Sequence, residues 1–242
     1  MNDPAPEPPA PAPPPRQLVF DLPHRAALGS EDFIVSASNE AAVKLVDAWP
    51  AGWPQPSVVV VAGPAGSGKT HLANVWRQQA NAALIAAAAL DDTAVARLGA
   101  ERAIAVEDAD RGIASERALF HLINLAREQG LSLLITGRTA PGEWTVTLPD
   151  LRSRLRACPV AQLGEPDEHL LLAVLVKLLH DRQLPSTPAA IGYLARHLDR
   201  SMASALAVVD ALDKLLWDKP SEITREVARR ALTAIGKDAG SD

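Results

Sequence analysis

The sequence predicts an α/β fold in which a parallel five-stranded sheet is followed by a small all-helical domain. Beyond residue 56, short apolar runs alternate with helical patterns, which is typical of a parallel sheet wrapped by helices. From residue 165 onward the strand-like runs cease, and helical patterns follow one another with breakers between them. The five expected strands cover residues 58–62, 83–87, 103–106, 131–136 and 160–163.

The chain begins with a proline-rich segment. Eight of the first fifteen residues are proline, a composition that favours extended conformations and cannot build a core. We therefore expect residues 1–16 to be a disordered tether. Residues 17–23 form an isolated apolar cluster whose main members are Gln17, Leu18, Phe20 and Leu22. The residues alone leave two interpretations open, since such a cluster either folds back on the domain or docks into a groove on a partner.

The rest of the chain divides into an α/β core at residues 24–164 and a helical domain at residues 165–242. Helices expected in the core cover residues 71–79, 115–129 and 150–157, between the expected strands. Helices expected in the second domain cover residues 170–181, 188–197, 202–217 and 222–235. Breakers such as Pro185, Asp199 and Pro220 separate these helices, so we expect a compact helical unit after the sheet.

Composition excludes several classes of function. The 242-residue chain has a formal net charge of −5 and a pI of about 5.7, so we expect any contact with DNA to be indirect or confined. Cys158 is the single cysteine, which rules out an internal disulfide, and the six histidines show no metal-ligand spacing. No apolar stretch is long enough to span a bilayer, and the N-terminus lacks the layout of a signal peptide. We therefore expect a cytoplasmic protein that does not bind membranes.

The strongest motif is a phosphate-binding loop of the pattern G-x-x-x-x-G-K-[ST], which directly follows the apolar run at residues 58–62. Its residues are Gly63, Pro64, Ala65, Gly66, Ser67, Gly68, Lys69 and Thr70. Glycines let the backbone curl into a nest of N–H donors, Lys69 can reach the β- and γ-phosphates, and the Thr70 hydroxyl can ligate Mg²⁺. The motif predicts a site for a nucleoside phosphate and leaves open what is done with it.

An acidic pair, Glu107 and Asp108, follows the expected strand at residues 103–106. The metal ion and the attacking water of such sites lie at the carboxyl edge of the sheet. A carboxylate there can hold Mg²⁺, while its neighbour can orient a hydrolytic water. The alternative is an ordinary junction between strand and loop that ends in acids.

In their order, these motifs resemble the AAA+ module of the replication initiator DnaA. The resemblance is carried by residues 63–72, the acidic strand end, and residues 133–138 and 148–155, and it covers the chain from about residue 17 onward. It implies an AAA+ P-loop NTPase core followed by a helical lid. More specifically, the chain is similar to the Hda/HdaA family of DnaA-related regulators, whose N-terminal motif for gripping the DNA polymerase sliding clamp resembles residues 17–22. The chain ends at Asp242, soon after the last expected helix, so we expect no DNA-reading domain like that of DnaA.

The resemblance implies roles for particular residues at a bound nucleotide. ADP or ATP is the implied cofactor, with Mg²⁺ held by Thr70, Glu107 and Asp108. Thr136 corresponds to a sensor position near the γ-phosphate. Arg200 corresponds to a lid arginine that reaches the phosphates. On the residues alone, Arg200 is also compatible with a surface ion pair to Asp199. The resemblance also implies that the adenine is enclosed by Phe33, Ile34, Val35, Asn39 and His71. Ordinary core packing is the alternative role for these residues.

The resemblance also implies a mechanism that involves partners. Arg154 corresponds to an arginine finger that enters the nucleotide site of a neighbouring subunit, although on sequence alone it could belong to a solvated helix face. Gln17 would supply the polar contacts to the clamp, and Leu18, Phe20 or Leu22 would fill its apolar pocket. The implied function is to dock on the DNA-loaded clamp and to stimulate hydrolysis of DnaA-bound ATP, which restrains replication initiation.

Glu107 departs from the aspartate usual in DnaA, so we expect an activator of ATP hydrolysis more than a vigorous ATPase. A self-sufficient AAA+ ATPase that loads or remodels a replication protein, such as a helicase, is the alternative. A small-molecule P-loop kinase is disfavoured by the four C-terminal helices. The sequence leaves open whether the free protein forms homo-oligomers.

Overall fold

A computed structural model describes residues 33–98, 100–217 and 221–238, so the expected tether and the cluster at residues 17–23 lie outside the described residues. Five strands form one parallel sheet with the order β2-β3-β4-β1-β5. They are β1 Val58–Ala62, β2 Ala83–Ala86, β3 Ala103–Glu107, β4 Ser132–Gly137 and β5 Val160–Gln162. The predicted parallel five-stranded sheet is confirmed.

Helices surround the sheet and then form the C-terminal part of the described chain. Those of the core are α1 Glu40–Asp47, α2 Lys69–Ala80, α3 Asp92–Leu98, α4 Glu116–Gln129 and α5 Pro149–Arg156. Those of the C-terminal part, which we call the lid, are α6 Glu168–Asp181, α7 Pro188–His197, α8 Met202–Leu216 and α9 Arg225–Asp238. The predicted helical domain after the sheet is confirmed, whereas α1 and α3 were not predicted from the sequence. Among the described residues, no helix has both the length and the apolar character needed to cross a membrane.

The central strand β1 explains why its sequence is a continuous apolar run. Val58 and Val60 belong to a core cluster on one face of the sheet, together with residues of α4 such as Leu119. Val59 and Val61 belong to a second cluster on the other face, together with Trp76 of α2. Because both faces are covered, alternate side chains enter different cores and all of them are buried.

The lid has a hydrophobic core of its own. Leu175 of α6, Leu194 of α7 and Val209 of α8 are fully buried in this third cluster. Three of its helices begin at a side-chain cap, because Asp167, Thr187 and Ser201 each accept a hydrogen bond from the first turn that follows. Capping and core burial therefore define the lid helices independently of the sheet.

The topology brings the ends of β1, β3 and β4 together at one edge of the sheet. All strands are parallel, so their carboxyl ends share this edge, and the phosphate-binding loop follows β1 there. The backbone N–H of Gly63 donates to the carbonyl of Gly137 at 3.2 Å, which joins the loop to the end of β4. Ligands of open α/β sheets bind at this carboxyl edge.

Candidate nucleotide-binding site

The phosphate-binding loop wraps around the ammonium group of Lys69. Lys69 is the first residue of α2, and its Nζ donates hydrogen bonds to the carbonyls of Gly63 and Pro64, both at 2.8 Å. Gly66 and Gly68 have positive φ angles of 75° and 95°, which allow the tight curl of the loop. The eight motif residues thus lie together at a helix N-terminus, where backbone donors and the helix dipole favour a bound anion.

Charges around Lys69 come from two neighbouring segments, which follow β3 and β4. Burial lowers the pKa of Lys69, the carboxylates of Asp108 and Asp110 oppose this shift, and the positive charge of Arg138 adds to it. Asp110 was not predicted as a site residue from the sequence, although it lies only two residues beyond the acidic pair. Arg138 follows β4 directly, where no sequence motif indicates its role.

The acidic end of β3 is tied to the end of β4. Asp108 adopts a left-handed conformation with a φ of 56°, and its N–H donates to Oγ1 of Thr136 at 3.0 Å. Thr136 is almost completely buried in β4, next to β1. This hydrogen bond brings Glu107, Asp108 and Thr136 together at the edge that carries the phosphate-binding loop.

Three polar atoms near this edge suit a bound nucleotide and cation. Among the described residues, Oγ of Ser67, Oε1 of Glu107 and Oδ1 of Asp110 are buried without a hydrogen-bond partner. An unsatisfied buried polar atom costs about 1–3 kcal/mol, so such atoms mark places where a ligand or water belongs. In the described part of the chain, no group of three or more His, Cys, Asp or Glu could hold a metal ion. A Mg²⁺ ion held by Thr70, Glu107 and Asp108 would therefore need phosphate oxygens to complete its shell.

A cleft of about 360 Å³ lies between the core and the lid, next to the loop. The residues that line it on the core side are Phe33, Ile34, Asn39, Ser67, Gly68 and His71. Those on the lid side are Leu170, Val174, Lys177, Leu178 and Asp181 of α6, with Met202 and Leu206 of α8. Its size and mainly apolar walls fit a small flat ligand such as a base.

The segment before α1 forms the core wall of this cleft. Asn39 is buried, and its side-chain amide donates to the carbonyl of Ile34 at 3.0 Å while its Oδ1 accepts from the N–H of Ser36 at 2.9 Å. The Phe33 ring stacks on His71 with 5.2 Å between centroids. Four residues of the expected adenine enclosure, Phe33, Ile34, Asn39 and His71, thus line the cleft. The fifth, Val35, packs against the core cluster that contains Trp76.

The lid touches the phosphate-binding loop directly. The N–H of Met202 in the first turn of α8 donates to the carbonyl of Gly66 at 2.9 Å. A Cβ atom on Gly66 would lie only 2.5 Å from Cβ of Ser201. Arg200 immediately precedes this contact, but its side chain is exposed and forms no hydrogen bond or ion pair with another described residue.

Arg154 lies far from the loop of its own chain. It sits in the last turn of α5, with its Cζ 4.7 Å from the centre of the Phe120 ring. It shares a shallow pocket with Pro56 and Pro159, which come just before β1 and β5 and so mark the amino edge of the sheet. The structure therefore separates Arg154 from Lys69 by the height of the sheet.

Glu116 at the start of α4 fixes the segment that leads into α5. Its carboxylate accepts hydrogen bonds from the N–H groups of Thr147, at 2.7 Å, and Leu148, at 2.6 Å, and from the Thr147 hydroxyl, at 2.9 Å. Partial burial raises the pKa of Glu116, but these bonds outweigh it and hold the pKa below its usual value. The orientation of α5, and hence of Arg154, depends on this anchor.

The sheet order, the loop and the lid define the AAA+ fold. No protein-family model and no curated protein matches the chain. Several solved structures are similar to the chain. Domain III of the replication initiation protein DnaA from Thermotoga maritima is similar at a TM-score of 0.71 and 19% sequence identity, over 84% of this chain and 95% of that one. AMPPCP-bound DnaA from Aquifex aeolicus is similar at a TM-score of 0.68 and 17% sequence identity, over 86% of this chain and 69% of that one. The RuvB Holliday junction branch migration motor from Thermotoga maritima is similar at a TM-score of 0.61 and 18% sequence identity, over 81% of this chain and 65% of that one.

Proposed function

We propose that this chain is an AAA+ regulator that binds ADP or ATP, docks on the DNA-loaded sliding clamp and stimulates hydrolysis of DnaA-bound ATP. One observation carries the proposal. Lys69 lies at the carboxyl edge of the sheet and Arg154 at the amino edge, and in our proposal these are the two halves of an AAA+ catalytic centre. From this position Arg154 would act on a nucleotide bound to another protein, and not on one bound beside Lys69 of the same chain.

The chemistry of Arg154 suits such a role in trans. A guanidinium is always charged, and its planar fork binds two phosphoryl oxygens at once. An arginine finger supplied by a neighbour contributes about 10³–10⁵ in rate to phosphoryl transfer. The Phe120 ring supports the guanidinium at the surface of α5, and the Glu116 anchor orients the helix. Both features support a preformed finger.

The nucleotide site of the chain itself supports binding more than rapid turnover. The Lys69 cradle and the cleft beside Phe33 suit a nucleoside phosphate. Glu107 carries one methylene more than the aspartate usual in DnaA, which would displace its carboxylate relative to the metal. Under this proposal the bound nucleotide stabilises the closed contact between core and lid and so preserves the surface presented to DnaA.

Docking on the clamp is proposed for residues 17–23, which lie outside the described residues. It is supported by their resemblance to the clamp-binding motif of Hda proteins. Clamp docking would bring the regulator to DNA indirectly, in keeping with the net charge of −5.

The test is ATP hydrolysis by purified DnaA–ATP, measured with and without this protein and with and without clamp loaded on DNA. We expect hydrolysis to rise only when all components are present. Arg154→Ala should abolish most of the stimulation, by a factor of at least about 10² given the rate effect of such fingers. Arg156→Ala, two residues further along the same helix and exposed, is the matched control for lost charge and should retain it. Stimulation by Arg154→Ala equal to that of the control would overturn the mechanism.

Clamp docking is measured separately, by binding of the full chain to the clamp. A double variant, Gln17→Ala with Leu18→Ala, should lose this binding and with it the dependence on clamp, and unimpaired binding would contradict the docking role.

The carboxylates of Asp108 and Asp110 near Lys69 favour a second candidate, a self-sufficient AAA+ ATPase. Strong turnover by the protein alone, indifferent to clamp and DnaA, would establish that alternative instead.

A further inference from the structure

Trp217, which directly follows α8, is the tryptophan that the fold leaves in solvent. It is 80% exposed, whereas the other four tryptophans of the chain are buried or half-buried. Tryptophan is large and mostly apolar, and it is enriched at the centres of binding surfaces. A single exposed apolar side chain needs no explanation by itself, so the surface beside the indole decides whether Trp217 marks a binding site.

A groove of about 360 Å³ lies beside this indole. Its apolar side is formed by Leu184, Pro185 and Leu216 together with Trp217. Asp213 and Glu222 also line it, and among the described residues that do so none is basic. The groove therefore combines an aromatic wall with negative charge.

The floor and one wall of the groove are held by the lid. Leu216 is buried in the lid core, and Leu184 packs against that core. The N–H of Ile223 donates to the carbonyl of Pro185 at 2.7 Å, and the N–H of Thr187 donates to the carbonyl of Ile223 at 3.0 Å. Because these contacts preform the groove, a ligand would bind without the cost of ordering it.

The chain itself contains a segment with the complementary chemistry. Its proline-rich stretch ends in Pro11-Ala12-Pro13-Pro14-Pro15-Arg16, which has the pattern P-x-x-P-x-R. Such stretches favour the polyproline II helix, which docks in aromatic-lined grooves because it loses little entropy on binding. With three residues per turn, Pro11 and Pro14 would lie on the same side of this helix. Arg16 adds a positive charge that complements the acidic groove.

The described chain begins close enough for this segment to reach the groove. Phe33, the first described residue, lines the nucleotide cleft together with Leu206 of α8. Trp217 follows the same helix, about 16 Å beyond Leu206 at the helical rise per residue. Residues 17–32 can span up to about 55 Å when extended, so they are more than long enough. A short flexible tether also gives an effective concentration in the mM range, at which even a weak contact is occupied.

We propose that the groove beside Trp217 binds a polyproline II helix, and that its ligand is residues 11–16 of the same chain. The prolines pack on the indole, and Arg16 faces the carboxylates of the groove. This inference goes beyond the proposed function and does not depend on it. Docking closes residues 17–32 into a loop with both ends on the folded chain, and so holds residues 17–23 near the lid.

The test is quenching of Trp217 fluorescence by acrylamide in the full chain. The contribution of Trp217 is obtained by subtracting the signal of Trp217→Phe, in which the other four tryptophans remain. Docking covers the indole, so the double variant Pro11→Ala with Pro14→Ala should be quenched about twofold more strongly than wild type, at an occupancy of about one half. Pro4→Ala with Pro6→Ala removes two prolines outside the pattern. This matched control should be quenched like wild type.

A synthetic peptide of residues 4–17 tests the groove directly. It should bind the double variant Pro11→Ala with Pro14→Ala about twofold more tightly than wild type, because the chain's own segment occupies about half of the wild-type grooves. Trp217→Ala should weaken binding of the peptide at least about tenfold, as expected for a central aromatic contact. Arg16→Glu in the peptide should weaken it about fivefold, in keeping with an exposed charge pair.

Three results would overturn the proposal. Equal quenching of wild type and the double variant would do so, and binding of the peptide in that case would assign the groove to a proline-rich partner. Stronger quenching of the control variant as well would remove the P-x-x-P-x-R pattern as the cause. Protection of Trp217 that falls on dilution would place the contact between two copies of the chain. Because Trp217 is exposed, Trp217→Ala should unfold in urea like wild type, so its loss of peptide binding reports the contact.

Discussion

A methyl group on Gly66 would test how closely the lid docks on the phosphate-binding loop. In Gly66→Ala the new Cβ would lie 2.5 Å from Cβ of Ser201 and 3.2 Å from its Cα. The position also has a φ of +75°. Gly130, which ends α4 far from the lid, has nearly the same φ of +73°, but nothing lies within 4 Å of the place that a methyl group would take there. Gly130→Ala therefore measures the backbone strain alone.

The two substitutions differ by the cost of the contact with the lid. A non-glycine residue in the left-handed region costs about 1–2 kcal/mol, and this cost applies to both. At Gly66 the overlap of roughly 1 Å adds about 1–3 kcal/mol if Ser201 stays in place, as in other overpacked sites. If the lid moves away instead, the hydrogen bond from Met202 to Gly66 is lost, which costs about 0.5–1.5 kcal/mol. We therefore expect Gly66→Ala to destabilise the chain by about 2–4 kcal/mol, and Gly130→Ala by about half of that.

The assay is urea-induced unfolding of the full chain without nucleotide, with the free energy of unfolding compared between the two variants. Adding Ser201→Gly to Gly66→Ala should recover about 1 kcal/mol, because it removes the clashing Cβ. That glycine loses the cap in which Ser201 Oγ accepts from the N–H of Ser204, but glycine at an N-cap costs only a few tenths of a kcal/mol. Equal losses in Gly66→Ala and Gly130→Ala, or no recovery in the double variant, would refute the direct contact.

Two further substitutions test the anchor of α5 and the wall of the cleft. Glu116→Ala should lower the free energy of unfolding by about 1 kcal/mol at pH 7, an estimate reduced for the exposure of its bonds. The pKa of Glu116 is depressed from 4.5 in the folded chain, so its contribution is present above pH 4.5 and is lost as pH falls through the folded value. Urea unfolding as a function of pH should show the gap to wild type closing in acid, and a constant gap would contradict this. Asn39→Ala removes two hydrogen bonds of a buried amide, so we expect the free energy of unfolding to fall by about 2 kcal/mol. Calorimetry should also show weaker binding of both ADP and AMPPCP. Unchanged affinity would show that the segment before α1 does not form a wall of the nucleotide-binding cleft.

Most of the sheet and the loop could be predicted because their signals are local. Strand β1 is apolar throughout and β3 is apolar up to its last residue, Glu107, since both faces of these strands are covered, and such runs stand out from the polar segments around them. The phosphate-binding loop follows a spacing that the geometry of phosphate binding imposes on any chain. Helix α1 was missed, because its assignment depends on Val43 and Val46 packing against Trp53 and Trp76, which lie further along the chain.

The amino-acid sequence by itself determined the parallel sheet, the helical domain after it, and the residues that cradle Lys69. Each of these depends on neighbours in sequence: runs of apolar residues, caps and the spacing of glycines. Only the tertiary structure decided which side chains share a site. It joined Asp108 to Thr136, placed Met202 of the lid on Gly66, brought the charge of Arg138 toward Lys69, and put Arg154 at the opposite edge of the sheet. These relations depend on the order in which parallel strands lie side by side and on where a second core packs, and long-range packing sets both.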